Sequence, residues 1–219
     1  MALQVLSKSE VIDGLAAEIL HNYGKGRAII AVDGPDGAGK TRFADALAAR
    51  LGVGHRAVFR ASIDDFHQSR ARRYARGKES PEGFYRDSYD YPTFKRVLTE
   101  PFRTGWIGSF NLKAFDLKRD LPFQPVWSSG PRDALLIVDG IFLNRPELRG
   151  IWNYSIWLEV DPEVAAARML ERDGEPANPE RYSGGQELYL AEAKPREAAT
   201  AILDNNDYDH PKRLFADSC

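Results

Sequence analysis

One eight-residue segment, Gly34–Thr41, restricts what this chain can fold into more than any other part of it. Its sequence, GPDGAGKT, fits the pattern G-x-x-x-x-G-K-[ST], between an apolar run at residues 28–32 and a helical pattern at residues 41–51. Glycines permit backbone angles at which successive N–H groups converge on an anion, and the following helix adds its positive dipole end. The sequence therefore predicts a strand, a phosphate-binding loop and a helix, in that order.

This loop predicts a nucleotide site that includes Mg²⁺. Lys40 should reach the β- and γ-phosphates, and the Thr41 hydroxyl should bind the metal ion. Asp139 follows the apolar run at residues 134–138 and is expected to be the second magnesium ligand, the alternative being a cap of the next turn. The residues expected to line the nucleotide site are Gly34, Pro35, Asp36, Gly37, Ala38, Gly39, Lys40 and Thr41.

Apolar runs alternate with helical patterns along most of the chain. Strands are predicted at residues 28–32, 57–63, 134–138, 154–160 and 199–203, and helices at 7–23, 41–51, 162–172 and 186–193. This alternation predicts an α/β protein with the P-loop NTPase fold, in three α/β/α layers around a mainly parallel five-stranded sheet.

We expect one domain over residues 1–219, with two irregular segments. Residues 67–131 are rich in aromatic residues, arginine and proline and lack clear strands, which predicts an inserted substrate-binding region with a helix between Thr93 and Thr104. Residues 173–185 are polar and rich in turn formers, which predicts a lid.

Composition excludes several classes of protein. Thirty Lys and Arg nearly balance 32 Asp and Glu, which argues against a nucleic-acid partner. The apolar runs are about five residues long, whereas a membrane helix needs about 20. The N-terminus has no secretory pattern, and the single cysteine, Cys219, cannot form an internal disulfide. We expect a cytoplasmic protein whose partners are small molecules.

The loop by itself does not define the reaction. A GTPase is disfavoured because no N-K-x-D motif follows a strand. Four segments resemble the uridine kinase and phosphoribulokinase group, which includes bacterial pantothenate kinase: Gly34–Thr41, Ser62–His67, Ile137–Phe142 and Leu158–Asp161, the last followed by Arg168 and Arg172. The resemblance covers residues 27 to 205, and it implies an ATP- and magnesium-dependent kinase that phosphorylates a hydroxyl of a small metabolite.

The resemblance also implies roles for residues near the second strand. Asp64 is expected to take the proton of the acceptor hydroxyl, with Asp65 as the alternative. Asp90 is expected to bind the acceptor. Asp90 lies in a Tyr-Asp-Tyr-Pro segment that is similar to the Asp-His-Pro element of the group, except that a tyrosine replaces the histidine. Apart from the resemblance, His67 and the aromatic cluster that contains Tyr85 are further candidates for acceptor contact, the alternative for the cluster being packing.

Two arginines before the predicted lid are candidates for catalysis. Arg168 and Arg172 are one helical turn apart and share a face, and lid arginines of small kinases neutralise charge on the transferring phosphoryl group. The alternative is an exposed helix on which Glu171 and Asp173 pair with them.

The acceptor and the oligomeric state stay open. A nucleoside is favoured, and a sugar phosphate or a pantothenate-like alcohol is the alternative. A basic run of Arg70, Arg72, Arg73, Arg76 and Lys78 fits either a solvated face or a site for an anionic acceptor. The apolar face of the first helix fits either the sheet or a second subunit. A nucleoside monophosphate kinase and a non-catalytic ATP-binding regulatory module are the competing functions.

Overall fold

The computed structural model describes residues 6–54, 56–104, 108–174 and 179–214. Its helices are α1 Lys8–Tyr23, α2 Lys40–Leu51, α3 Arg70–Arg73, α4 Pro81–Asp87, α5 Tyr91–Phe94, α6 Glu100–Thr104, α7 Pro162–Asp173, α8 Pro179–Ala193 and α9 Pro195–Ala198. Its strands are β1 Ala28–Asp33, β2 Val58–Ser62, β3 Phe110–Asn111, β4 Phe115–Asp116, β5 Leu121–Pro122, β6 Trp127–Ser128, β7 Leu135–Asp139, β8 Tyr154–Glu159, β9 Ala201–Asp204 and β10 Lys212–Leu214.

The central sheet has six strands in the order β10-β9-β8-β1-β7-β2. The five strands from β9 to β2 are parallel, as the sequence predicts, and β10 pairs with β9 in the antiparallel direction. The register places Val32 of β1 and Ser62 of β2 on either side of Asp139 of β7. The carboxyl ends of these three strands therefore form one edge, the position at which open α/β sheets bind ligands.

The sheet lies between two helical layers. Ile30 and Val32 of β1 face a core formed with α1 and α2, whereas Ile29 and Ala31 face a second core formed with the 67–131 region and α8. This alternation across a strand that is buried on both faces produces the predicted three-layer α/β/α fold. Within the described ranges, no helix is both long and apolar enough to span a membrane.

Helix α1 begins as predicted. The Glu10 N–H donates to Ser7 Oγ, and the Glu10 carboxylate accepts from the Ser7 N–H over 2.8 Å, which forms a capping box. The apolar face of α1 packs on the same chain, in the core shared with α2 and the sheet. The sheet is therefore one partner of this face, and a second subunit stays a prediction that the fold does not test.

Three segments differ from their predicted structure. Helix α8 begins at Pro179, so the second half of the predicted lid is helical rather than turn-rich, and residues 175–178 lie outside the described ranges. The helix predicted between Thr93 and Thr104 is interrupted, because residues 95–99 form a π-helical turn between α5 and α6. The 67–131 region, predicted without clear strands, contains two pairs of two-residue strands, β3–β6 and β4–β5.

Candidate active site

A cleft of about 1090 Å³ opens at the carboxyl edge of β1, β7 and β2. Of the residues predicted for the site, it is lined by Asp36, Gly37, Gly39, Lys40, Thr41, Asp64, His67, Asp139, Arg168 and Arg172. Tyr89, Tyr182 and Tyr208 also line it. The structure thus brings the phosphate-binding loop and the residues after β2 and β7 to one cavity.

The loop has the backbone conformation that its glycines predict. Gly37 and Gly39 have φ angles of 76° and 82°, in the left-handed region that favours glycine. A Cβ atom on Gly37 would lie 2.5 Å from the Ala165 carbonyl oxygen of α7, so that position also requires glycine for space. Lys40 begins α2, and its Nζ donates to the Pro35 carbonyl oxygen over 2.8 Å, across the loop.

Thr41 and Asp139 meet on the floor of the cleft. The Thr41 hydroxyl donates to Asp139 Oδ2 over 2.6 Å, and Asp139 is almost fully buried. A hydroxyl and a carboxylate oxygen are hard ligands of the kind that Mg²⁺ uses beside nucleotide phosphates, so these two residues fit the predicted metal ion. Among the described residues, no cluster of three or more His, Cys, Asp or Glu offers an alternative metal site.

Arg60 holds the other oxygen of Asp139. Its Nη2 donates to Asp139 Oδ1 over 2.9 Å, and its Nε donates to Asp45 Oδ1 of α2 over 3.0 Å. Arg60 was not predicted from the sequence, although an arginine directly after Val58 and Phe59 in a predicted strand is a usable signal of a buried counter-ion. The arginine fixes the orientation of the carboxylate toward Thr41.

Asp64 lines the cleft from a 3₁₀ turn over residues 63–66 that directly follows β2. Ser62 Oγ accepts from the Asp64 N–H and starts this turn. Tyr89 donates its hydroxyl to Asp64 Oδ1 over 2.8 Å. Asp65 instead pairs with Lys113 at 2.8 Å and does not line the cleft. Of the two adjacent carboxylates, the structure therefore brings Asp64 to the cavity.

His67 and Tyr89 form a wall beside Asp64. The two rings are 4.6 Å apart, and His67 Nδ1 lies 2.7 Å from the Asp64 carbonyl oxygen. Burial lowers the pKa of His67 below its usual 6.5, so the imidazole is neutral at pH 7. Burial, followed by the Asp64 charge, raises the pKa of Tyr89 well above its usual range, so its hydroxyl remains a donor to Asp64.

Arg168 and Arg172 occupy different parts of the cleft. Arg168 stacks on the Tyr208 ring, 3.7 Å from its centroid, and donates to the carbonyl oxygens of Asn205 and Asn206. Arg172 is exposed and pairs with Asp173, the partner that the alternative prediction names. The structure thus leaves Arg172 accessible to a phosphoryl group, whereas Arg168 is engaged on the side of Tyr208.

Two predicted substrate ligands lie away from the cleft. Asp90 caps α5, because its Oδ1 accepts from the Thr93 N–H over 3.0 Å. The sequence signal for this role is Pro92, which suits the first turn of a helix directly after a capping residue. Tyr85 is almost fully buried, and the Arg145 guanidinium lies over its ring at 4.2 Å. The expected roles of Asp90 and Tyr85 as acceptor ligands are therefore not matched by their positions.

Asp33, a buried carboxylate that was not predicted from the sequence, binds the first residue of the phosphate-binding loop. Asp33 ends β1 and accepts from the Gly34 N–H over 2.8 Å, from Asn144 Nδ2 over 2.7 Å and from the Tyr189 hydroxyl of α8. Burial raises the pKa of Asp33, and the hydrogen bond from Tyr189 acts against this increase. Asp33 thereby attaches the start of the phosphate-binding loop to α8.

Comparison with known proteins gives structural matches only. No family model matches the sequence, and no curated protein matches it significantly. A protein described as a possible uridine kinase from Bacillus stearothermophilus superposes with a TM-score of 0.70 at 23% identity, covering 88% of this chain and 97% of its own. A protein described as a candidate fructose transport system kinase, from Silicibacter sp. TM1040, superposes with a TM-score of 0.63 at 26% identity. The match covers 86% of this chain and 94% of its own.

A D-glycerate 3-kinase from Cryptococcus neoformans matches over 94% of this chain and 99% of its own, with a TM-score of 0.55 at 10% identity. The chain has the fold of the P-loop kinases. This P-loop kinase fold confirms the predicted three-layer architecture and the resemblance to uridine kinase-like proteins. The names of the three neighbours differ in their acceptor, so the fold does not define an acceptor for this chain.

Proposed function

We propose that the protein is an ATP- and magnesium-dependent kinase that transfers the γ-phosphate to a hydroxyl of a small metabolite, most directly a nucleoside. One observation carries this proposal: Asp64 and the phosphate-binding loop line the same cleft, and Asp64 is oriented there by the Tyr89 hydroxyl at 2.8 Å. A nucleotide-binding module without turnover has no need of an oriented carboxylate at the acceptor side of its loop.

The residues divide the reaction between them. The N–H groups of residues 37–41 and the Lys40 ammonium bind the phosphates of ATP. Thr41 and Asp139 would hold Mg²⁺, which when bound neutralises charge on the phosphate oxygens. Arg172, exposed at the mouth of the cleft, adds a positive charge toward the transferring group.

Asp64 accepts the proton of the acceptor hydroxyl as its oxygen bonds to the γ-phosphorus and the bond to the β-phosphate oxygen breaks. Tyr89 keeps one carboxylate oxygen of Asp64 hydrogen-bonded, so the other oxygen is available to the acceptor. The neutral His67 ring packs against Tyr89 and restricts its movement.

The test is an acceptor-dependent ADP-release assay with Asp64→Asn and Asp65→Asn. The two variants make the same change in adjacent residues, but only Asp64 lines the cleft. We expect Asp64→Asn to reduce turnover by about 10²- to 10⁴-fold, the usual contribution of a general base, with ATP affinity retained. Asp65→Asn should change turnover by no more than about fivefold, since it removes an exposed ion pair.

The acceptor panel includes uridine, cytidine, D-fructose, UMP and D-glycerate. Turnover with UMP but not with uridine would favour a nucleoside monophosphate kinase. Equal activity in wild-type protein and Asp64→Asn would contradict the proposed role of Asp64. ATP binding with no turnover on any acceptor would favour the regulatory module.

A further inference from the structure

Asp36 is an unexpected residue in a loop that binds anions. It lies four residues before Lys40, and its side chain is 27% exposed and lines the cleft. Its backbone N–H donates to Gln186 Oε1 of α8 over 3.0 Å, which fixes this part of the loop. A carboxylate at this position repels the polyphosphate that the neighbouring N–H groups attract. Nucleotide binding therefore gives no reason for a carboxylate here.

Within the part of the chain that the structure describes, no group donates a hydrogen bond to the Asp36 carboxylate, and its nearest cation is Lys40 Nζ at 4.0 Å. Burial raises the pKa of Asp36, the Lys40 charge opposes this, and the Asp64 charge adds to it. When ATP phosphates engage Lys40, this carboxylate needs another partner in the cleft.

The part of the cleft that Asp36 shares with Asp64 has aromatic walls. Phe84, Tyr89 and Tyr182 line it together with the neutral His67. Of the cations that line the cleft, Lys40 and Arg172 are assigned to the phosphates of ATP, and Arg42 and Arg168 lie over the Tyr208 ring. Two carboxylates accept hydrogen bonds from hydroxyl groups, and aromatic walls pack against an apolar face of a ring. This combination fits a polyhydroxy compound and disfavours an anion.

We propose that Asp36 binds the phosphate acceptor by accepting a hydrogen bond from a second hydroxyl, next to the one that reacts at Asp64. The acceptor is accordingly an uncharged polyhydroxy compound such as a sugar or a nucleoside. This inference rests on the proposed kinase function and adds a binding residue and a charge class to it.

The basic run, which the sequence leaves open as an anionic acceptor site, does not line the cleft that holds Asp64. Arg73 donates to the Gln68 carbonyl oxygen and pairs with Asp120, and Arg76 pairs with Asp87. None of the five basic residues is among those that line the large cleft. Arg72 and Arg76 line a separate cavity of about 420 Å³, which shares only Tyr89 with the cleft.

The class of acceptor is tested with matched charged and uncharged probes. Wild-type protein with MgATP is assayed against uridine, D-ribose and D-fructose, and against UMP, ribose 5-phosphate and fructose 6-phosphate. We expect turnover with at least one uncharged probe at a kcat/KM above that of its phosphate ester. Absence of turnover with every uncharged probe, or a preference for the esters, would overturn the proposal.

The role of Asp36 is tested with Asp36→Asn on the best uncharged probe, with Asp65→Asn as the matched control. Loss of a charged hydrogen bond to a hydroxyl should raise the acceptor KM at least about tenfold. The dissociation constant for ATP, measured by calorimetry without acceptor, should be unchanged or lower because a repelling charge is removed. Asp65→Asn should leave both quantities near the wild-type values.

A parallel measurement uses single-deoxy analogues of the same probe on wild-type protein and on Asp36→Asn. If Asp36 binds one hydroxyl, the analogue that lacks this hydroxyl is a poor substrate for wild-type protein and is not further impaired by the substitution. Additive effects for every analogue, or weaker ATP binding in parallel with the acceptor KM, would refute the assignment. If Asp36→Asn does not fold, the deoxy analogues are assayed on wild-type protein alone. Equal activity on all analogues would then refute the assignment of Asp36 as an acceptor ligand. Failure of the kinase proposal is recognised separately, from ATP binding without turnover on any probe, charged or uncharged.

Discussion

The pair formed by Arg60 and Asp139 allows a quantitative prediction about stability. The two side chains are 23% and 4% exposed, and Nη2 lies 2.9 Å from Oδ1. Removing one partner of a buried ion pair destabilises a protein by about 3–5 kcal/mol, because the other charge stays buried. Arg60 is partly exposed and Thr41 still donates to Asp139, so we expect Arg60→Met to lower the free energy of unfolding by about 3 kcal/mol.

A change of this size is measurable by thermal unfolding. For a chain of this length, 1 kcal/mol corresponds to about 2–4 °C in Tm, so Arg60→Met should lower Tm by about 6–12 °C. The control is Arg50→Met, which removes the same side chain from an ion pair with Asp13 whose members are 44% and 52% exposed. It should lower Tm by no more than about 4 °C.

The same variant tests the assignment of Asp139 as a metal ligand. A bound Mg²⁺ ion would supply positive charge to the Asp139 carboxylate and replace part of what Arg60 contributes. Saturating MgATP should therefore raise the Tm of Arg60→Met by about 3–6 °C more than it raises the Tm of wild-type protein. Equal shifts in the two proteins, or an Arg60→Met variant as stable as Arg50→Met, would refute this reasoning.

Two further predictions concern Tyr89 and the pH dependence of stability. Tyr89→Phe removes the hydrogen-bond donor to Asp64 and should lower kcat about tenfold. The same substitution should not lower the kcat of Asp64→Asn any further, because the two residues act as one unit. Additive losses in steady-state assays would contradict this. The hydrogen bond from Arg213 lowers the pKa of Glu18 below its usual 4.5. The ionised carboxylate therefore stabilises the fold above pH 4.5, and this contribution to stability is lost as the pH falls through the lower pKa of the folded state. Glu18→Gln should flatten the fall of Tm between about pH 5 and 3, whereas an unchanged Tm profile would show that the pair contributes nothing.

The parts of the fold that depend on local sequence could be predicted. The apolar runs of β1, β7 and β8 and the phosphate-binding loop fixed the order of the layers, since strands buried on both faces tolerate few polar residues. The antiparallel strand β10 was not predicted, because Lys212 and Arg213 are exposed and give no apolar signal. Long-range pairing with β9, rather than local composition, defines that strand.

The helical start of α8 was not predicted, because its composition is typical of a turn. Gly184 and Gly185 indicate a turn in a polar segment, yet both lie inside the helix. A Cβ atom on Gly185 would lie 2.5 Å from Phe84 Cδ1, and one on Gly184 would lie 2.9 Å from Pro81. These glycines provide space for α4 to approach α8, a reason that only the partner helix reveals.

The site residues that could be predicted are those whose residue type and place after a strand or in the loop both point to one chemical role. Thr41, Asp64 and Asp139 meet this condition, and the structure brings all three to the cleft. Asp90 is predicted from a motif in which a tyrosine replaces a histidine, and Tyr85 from a cluster of aromatic residues, yet Asp90 caps a helix and Tyr85 is buried. In the insert, packing rather than the motif determines what each aromatic or acidic residue contacts.

The close approach of α4 and α8 has a mechanical consequence. Glycine at both contact positions lets the backbone of α8 pack directly on Pro81 and Phe84 of α4, so the two helices are expected to move together. Phe84 of α4 and Tyr182 of α8 line the cleft, and α8 also reaches the phosphate-binding loop through Gln186 and Tyr189. A displacement of these helices would therefore reach Asp33 and Asp36, at the two ends of a four-residue segment. Binding at the aromatic wall and binding at the phosphate-binding loop are accordingly expected to influence each other through α8.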